Sequence, residues 1–379
     1  MRSLAAALVL AALMVLAMTS SAAAEEAWRR LVRKEIHDLV PANRAGGVAV
    51  AILVDGRTLF FCDGFADLAR DRPVTPDSLF NLASLRKVFE AIVLAEAVEA
   101  RRMAFDDPVA KYIPELGRGR DIRRVTVGQL AIHTSGLLLP PDQPPWPTEH
   151  YSLASFFGAL NEWQADKGHE PGRQHMYTHA GYVLLQLALE RGLGAPIGEL
   201  VARRILDPLG MKSSLIPMRG SDGRGELPAA LKERAVQGYA ADGQAIGVPG
   251  DQQTYYDFPG TGQMFSSARD LAAFLSANMG LSASRGEPSP PPALAKAMRA
   301  ARKPAIAIAR HHAQALAWEV NDTGSPSIIE KNGGLNNSST YMGLVPSRKL
   351  GVIVLTNRGD QNVAEIGQRI LRALANRRS

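Results

Sequence analysis

The segments that read as β-strands sit towards the two ends of this chain, with a long helical stretch between them. Near the N-terminus, Gly46 to Val54 is a short apolar run of strand length. Asp55-Gly56 follows, a dipeptide that closes tight hairpins because glycine takes a positive φ freely, and Thr58 to Phe65 returns as a second strand. Near the C-terminus, Thr340 to Val345 and Leu350 to Thr356 form another apolar pair around Pro346-Ser-Arg-Lys349. From about Asp106 to Gly220 the pattern is mostly helical, and Leu153 to Trp163 and Ala180 to Arg191 are its clearest helices. These segments predict an α/β (α+β) fold in which one antiparallel sheet is assembled from distant parts of the chain. Helices flank that sheet, a helical subdomain at about 106–220 is inserted, and a cleft between the two parts is the place for a site.

Other helices are expected at Ala27 to Val40, Ala268 to Met279 and Val363 to Asn376. Ser84 to Arg101 runs without Gly or Pro, and Val88, Ile92, Ala95 and Val98 recur on one face. Pro140 to Pro145 and Pro288 to Pro292 read as irregular loops.

The first 24 residues differ in kind. Arg2 precedes an unbroken apolar run from Leu4 to Met18, and Ala22-Ala-Ala24 supplies small residues before Glu25, the pattern of a cleaved secretory signal. The run falls short of the about 20 residues that span a bilayer. No cysteine lies near its end to carry a lipid, so the mature domain, 25–379, is expected to be periplasmic or extracellular, monomeric and without a stable membrane anchor. The formal net charge of +6 is scattered, and no basic run interleaves with aromatics, which argues against nucleic-acid binding. The single cysteine, Cys62, excludes an intrachain disulfide and is expected to be a buried structural thiol.

Ser84-Leu-Arg-Lys87 is the only Ser-x-x-Lys in the chain. On a helix the two side chains lie one turn apart on one face. A serine hydroxyl needs a base to become a nucleophile, and a partly desolvated lysine can serve as one. His311-His312 is a poor metal site because adjacent side chains point apart. His175 and His179 have zinc-like spacing but no Glu after the first His, so no metal and no cofactor is expected. No Gly-x-Ser-x-Gly elbow exists.

Asn81-Leu-Ala-Ser84-Leu-Arg-Lys87, His133-Thr-Ser-Gly136, Tyr177-Thr-His179 and Lys331-Asn-Gly-Gly334 follow one another in the chain. In this order they resemble the motifs of class C β-lactamases and the wider penicillin-recognising serine hydrolases, and the resemblance spans Gly46 to Leu374. It implies a β-lactamase/transpeptidase-like fold, Ser84 as the acylated nucleophile, and Lys87 and Tyr177 sharing the proton-handling, with either as the base. It implies an oxyanion hole from the backbone N–H groups of Ser84 and Gly334, the small Gly334 allowing close approach. Lys331 and Gly333 of the Lys-x-Gly motif would meet the substrate, Lys331 through its carboxylate. The expected substrate is a small molecule: a β-lactam or, alternatively, a cell-wall D-alanyl-D-alanine peptide or an ester. A penicillin-binding sensor that acylates without turnover is the non-enzymatic alternative. Two departures stand out: His179 replaces the family's Asn as a substrate contact, and Pro140 stands where the family carries a substrate-binding Gln. Trp318 is expected to serve packing.

Overall fold

The two terminal strand pairs meet edge to edge. The computed structural model describes residues 25–54, 56–138, 152–218, 226–250, 263–281 and 289–376. Among the described residues the main sheet has nine strands: β1 (Gly47–Val54), β2 (Arg57–Asp67), β3 (Arg72–Pro73), β4 (Ile306–Ala309), β5 (His312–Gln314), β6 (Glu319–Asn321), β7 (Ile328–Leu335), β8 (Ser338–Val345) and β9 (Leu350–Thr356). The spatial order is β3-β2-β1-β9-β8-β7-β6-β5-β4, antiparallel throughout. The seam is β1 on β9, in register from Val48 opposite Thr356 to Leu53 opposite Gly351.

Period-two alternation explains why β1 is buried on both sides. Val48, Val50, Ile52 and Val54 face a core layer closed by a helix over 25–36 and by the C-terminal helix Val363–Asn376. Ala49, Ala51 and Leu53 face the opposite layer, where the helices Arg86–Glu99, Ala268–Asn278 and His179–Leu193 pack. Small side chains on that face let the helices lie close to the sheet. Between residues 106 and 218 the described residues form helices and short helical turns but no strand of the main sheet.

Several expectations shift in detail. The helix at Ser84 begins as a 3-10 turn, Ala83–Leu85, and becomes α-helical only at Arg86. The two outermost strands, Ile306–Ala309 and His312–Gln314, were not anticipated as individual elements. Asp55, Pro140 to Pro145, Pro288 and the first 24 residues lie outside the described residues. Trp318 is fully buried, as packing requires. Cys62 is a correction: it is exposed on β2, because the strand turns Leu59 and Phe61 inward and Cys62 out. Desolvation of the sulfur, with the Asp77 carboxylate adding to it, still pushes its thiol up to about 11.

Candidate active site

Ser84 is delivered by a tight turn. Phe80–Asn81 pairs with Phe265–Ser266, and Leu82 N–H donates to the Met264 carbonyl, which fixes the incoming chain. The Asn81 side chain then accepts from the Ala83 N–H at 3.1 Å, and Ala83 sits at φ +50°, a region costly for a residue with a side chain. The turn is tied to β8 by two hydroxyls. Ser338 donates to the Asn81 carbonyl at 3.0 Å and Thr340 to the Leu82 carbonyl at 2.9 Å.

The Ser84 hydroxyl lies 2.7 Å from the Tyr177 hydroxyl, and Lys87 Nζ donates to Ser84 Oγ at 3.3 Å. Lys87 is buried, with its ammonium over the rings of Tyr177 (5.4 Å) and Tyr182 (5.3 Å), a cation–π setting. Lys331 enters from the sheet side, 5.2 Å from the Tyr177 ring centre. Burial pushes the Tyr177 phenol up, but the two ammonium groups and the Ser84 hydrogen bond outweigh it and leave the phenol below its ordinary value. Lys331 Nζ also meets Glu319 Oε1 at 2.7 Å, and His312 Nε2 lies 3.1 Å from the other oxygen. For Lys331 the opposing effect of burial is overcome, chiefly by Glu319, and its ammonium is held above its ordinary value.

β6 pairs with β7 only as far as Glu330, so among the described residues Lys331 to Leu335 keep one edge without a strand partner. That stretch faces the Ser84 turn through Gly333. A Cβ on Gly333 would stand 2.7 Å from the Leu82 oxygen and 2.8 Å from the Ser84 nitrogen, so only glycine allows this approach. The stated reason for Gly334 is therefore corrected: a Cβ there would meet nothing within 4 Å.

Ser84, Lys87, Tyr177 and Lys331 thus converge beside one strand edge. The family model described as Beta-lactamase matches residues 28–377. The chain belongs to the β-lactamase family. This family member is 24% identical to the β-lactamase of Escherichia coli K12, over 94% of this chain and 96% of that one. It is 23% identical to the Pseudomonas fluorescens β-lactamase, over 89% and 96%. Among solved structures it is similar in fold to a D-alanine carboxypeptidase AmpC from Burkholderia cenocepacia (TM-score 0.77, 22% identity, 92% of this chain and 99% of that one). A class C β-lactamase in complex with cefoxitin gives a TM-score of 0.76 at 23% identity, with the same coverage. At the family level the protein is a β-lactamase-type serine hydrolase.

In this β-lactamase-family member, Ser84, Lys87, Tyr177, Lys331 and Gly333 lie close together. His179 opens the helix His179–Leu193, its ring edge-on to Tyr177 at 5.5 Å. Burial, with the Lys87 charge adding, pushes its imidazole down to about 3, so the ring is neutral. The helix is capped by Thr178, whose side chain accepts from the Gly181 N–H at 3.0 Å. Sequence reasoning gave no role to four neighbours: His133, His175, Tyr182 and Glu319. His133 lay in a motif already singled out, and Glu319 directly follows Trp318. Among the described residues no group of three or more His, Cys, Asp or Glu could hold a metal.

Proposed function

We propose that this chain hydrolyses the β-lactam amide through an acyl-enzyme on Ser84. The observation that carries the reading is the Ser84 hydroxyl held 2.7 Å from Tyr177 and 3.3 Å from Lys87. The phenolate form of Tyr177, favoured by two ammonium neighbours, takes the Ser84 proton as Oγ bonds to the carbonyl carbon. The oxyanion accepts from the N–H groups of Ser84 and Gly334, donors worth about 10²–10³ in rate each. Collapse breaks the C–N bond, and the nitrogen takes the proton from Tyr177. In deacylation Tyr177 takes a proton from water as hydroxide adds to the acyl carbon; the acyl C–Oγ bond then breaks, and Ser84 Oγ takes the proton back from Tyr177.

Lys331 faces the substrate carboxylate, sharing its charge between that group and Glu319. His179 presents a neutral imidazole, able to donate and accept, beside the acyl chain. Residues 25–379 act as one hydrolase domain with a helical insert at about 106–220, and residues 1–24 direct export to the periplasm or beyond. Among the described residues no helix is long and apolar enough to cross a membrane. A D-alanyl-D-alanine carboxypeptidase reading is second, favoured by the like-folded neighbour that bears that name.

Intact mass spectrometry of the mature protein with benzylpenicillin, alongside a count of product, tests the reading. An adduct that clears through many turnovers supports it. A persistent adduct with little product favours the peptidase or a sensor, and no adduct favours an esterase.

A further inference from the structure

We propose that His133 is a positioning residue that clamps the Tyr177 segment and holds its phenolic oxygen against Ser84. The proposal rests on the reading that Tyr177 handles the Ser84 proton. His133 is buried and sits at φ +55°, a left-handed conformation uncommon outside glycine but tolerated better by His than by most residues. In that conformation one residue reaches the segment twice. Its carbonyl accepts from the Met176 N–H at 2.7 Å, and its Nδ1 accepts from the Thr178 N–H at 3.4 Å. The two bonds bracket Tyr177 on either side.

The ring completes the clamp. It lies 4.3 Å from the Tyr177 ring, tilted by 32°, and 5.0 Å from Tyr182. Tyr182 is itself anchored, donating to the Ala131 carbonyl at 3.0 Å. The rest of the turn is moulded to the same stretch. Thr134 O accepts from Gly172 N–H at 2.7 Å, and a Cβ on Gly136 would stand 2.0 Å from the His169 oxygen. On the far side His175 Nε2 meets Gln314 Oε1 at 3.0 Å, tying the segment to β5. Nδ1 as acceptor requires a neutral ring with its proton on Nε2, an atom that has no hydrogen-bond partner among the described residues. An aliphatic side chain could fill this space but could not accept from Thr178. Glycine would take the backbone conformation and keep the carbonyl bond to Met176 but would lose both the Nδ1 acceptor and the ring contact.

Acylation of Ser84 by p-nitrophenyl acetate, followed by the nitrophenolate burst and by peptide mass, tests the clamp independently of β-lactam chemistry. His133→Gly is expected to slow acylation about 10- to 100-fold with little change in KM, since a misplacement of about 1 Å can cost about 10²-fold. Its pH midpoint should rise, because a loosened Tyr177 moves away from Lys87 and Lys331, while Ser84 and His179 stay in place. His133→Asn tolerates the left-handed backbone and keeps an acceptor, so it should recover part of the rate and serves if the glycine variant does not fold. Wild-type rate and midpoint in either variant, or a loss carried wholly in KM, would overturn the clamp. Failure of the wild type to acylate at Ser84 would instead defeat the proposed function, and the clamp with it.

Discussion

Each wall of the cleft brings one buried lysine, and the two are neutralised in opposite ways. On the helix wall Lys87 has no carboxylate within ion-pair distance among the described residues. It has the Ser84 hydroxyl and two aromatic faces instead, while nearby Glu90 is engaged by Arg86 at 2.6 Å. On the sheet wall Lys331 is locked to Glu319 at 2.7 Å. A cation held by hydroxyls and rings stays in direct contact with the nucleophile. A cation locked to a carboxylate is a fixed charge, suited to orienting a substrate rather than moving protons. On the proposed function Lys87 touches Ser84 directly, whereas Lys331 acts as a fixed charge that lowers the Tyr177 phenol and orients the substrate.

Removing Lys87 gives the largest expected effect. Lys87→Met should lower Ser84 acylation about 10³-fold, measured as the burst rate, and a loss below tenfold would erase the distinction drawn between the lysines. Lys331→Ala comes next. Carboxylated substrates should lose about 10²-fold in kcat/KM and simple esters much less, because only the former lose a charge partner. Equal losses on both would assign Lys331 to the chemistry.

The third effect is on stability. The folded His179 imidazole titrates at about 3 against an ordinary 6.5, so between those pH values the unfolded chain holds more protons than the folded one. Stability contributed by the neutral ring is present above 6.5 and is lost as pH falls through that window, at up to about 1.4 kcal/mol per pH unit. His179→Asn should flatten the acid side of a denaturation-versus-pH curve by that slope, and an unchanged curve would contradict the buried neutral ring. The smallest effect is on specificity. The same variant should raise β-lactam turnover a few-fold, and no change would place residue 179 outside the acyl pocket.

The two walls also differed in how far they could be read from sequence. Ser84 and Lys87 are local, one helical turn apart, so spacing alone brings them together. Tyr177 and Lys331 were reached by resemblance of motifs in order, not by any periodicity. His133 and Glu319 escaped because their contacts are made by the fold: His133 touches a residue 45 positions away, and Glu319 lies on a three-residue strand too short to give a pattern. The sheet was legible at its centre, where β1 and β9 are long and apolar, and illegible at its edge, where β4 and β5 are three or four residues of mixed exposure. Cys62 was misjudged because its residue type favours burial while its register on β2, one step after Phe61, faces solvent.

The central claim is that Ser84 is activated by a phenol that two ammonium groups have made acidic. The most direct measurement is the rate of Ser84 acylation from pH 5 to 10 in the wild type and in Tyr177→Phe. The account predicts a wild-type rate that climbs with pH and levels off below 10, and a Phe enzyme about 10²- to 10⁴-fold slower that lacks this rise. A Phe enzyme with wild-type rate and profile would contradict it and pass the base to Lys87.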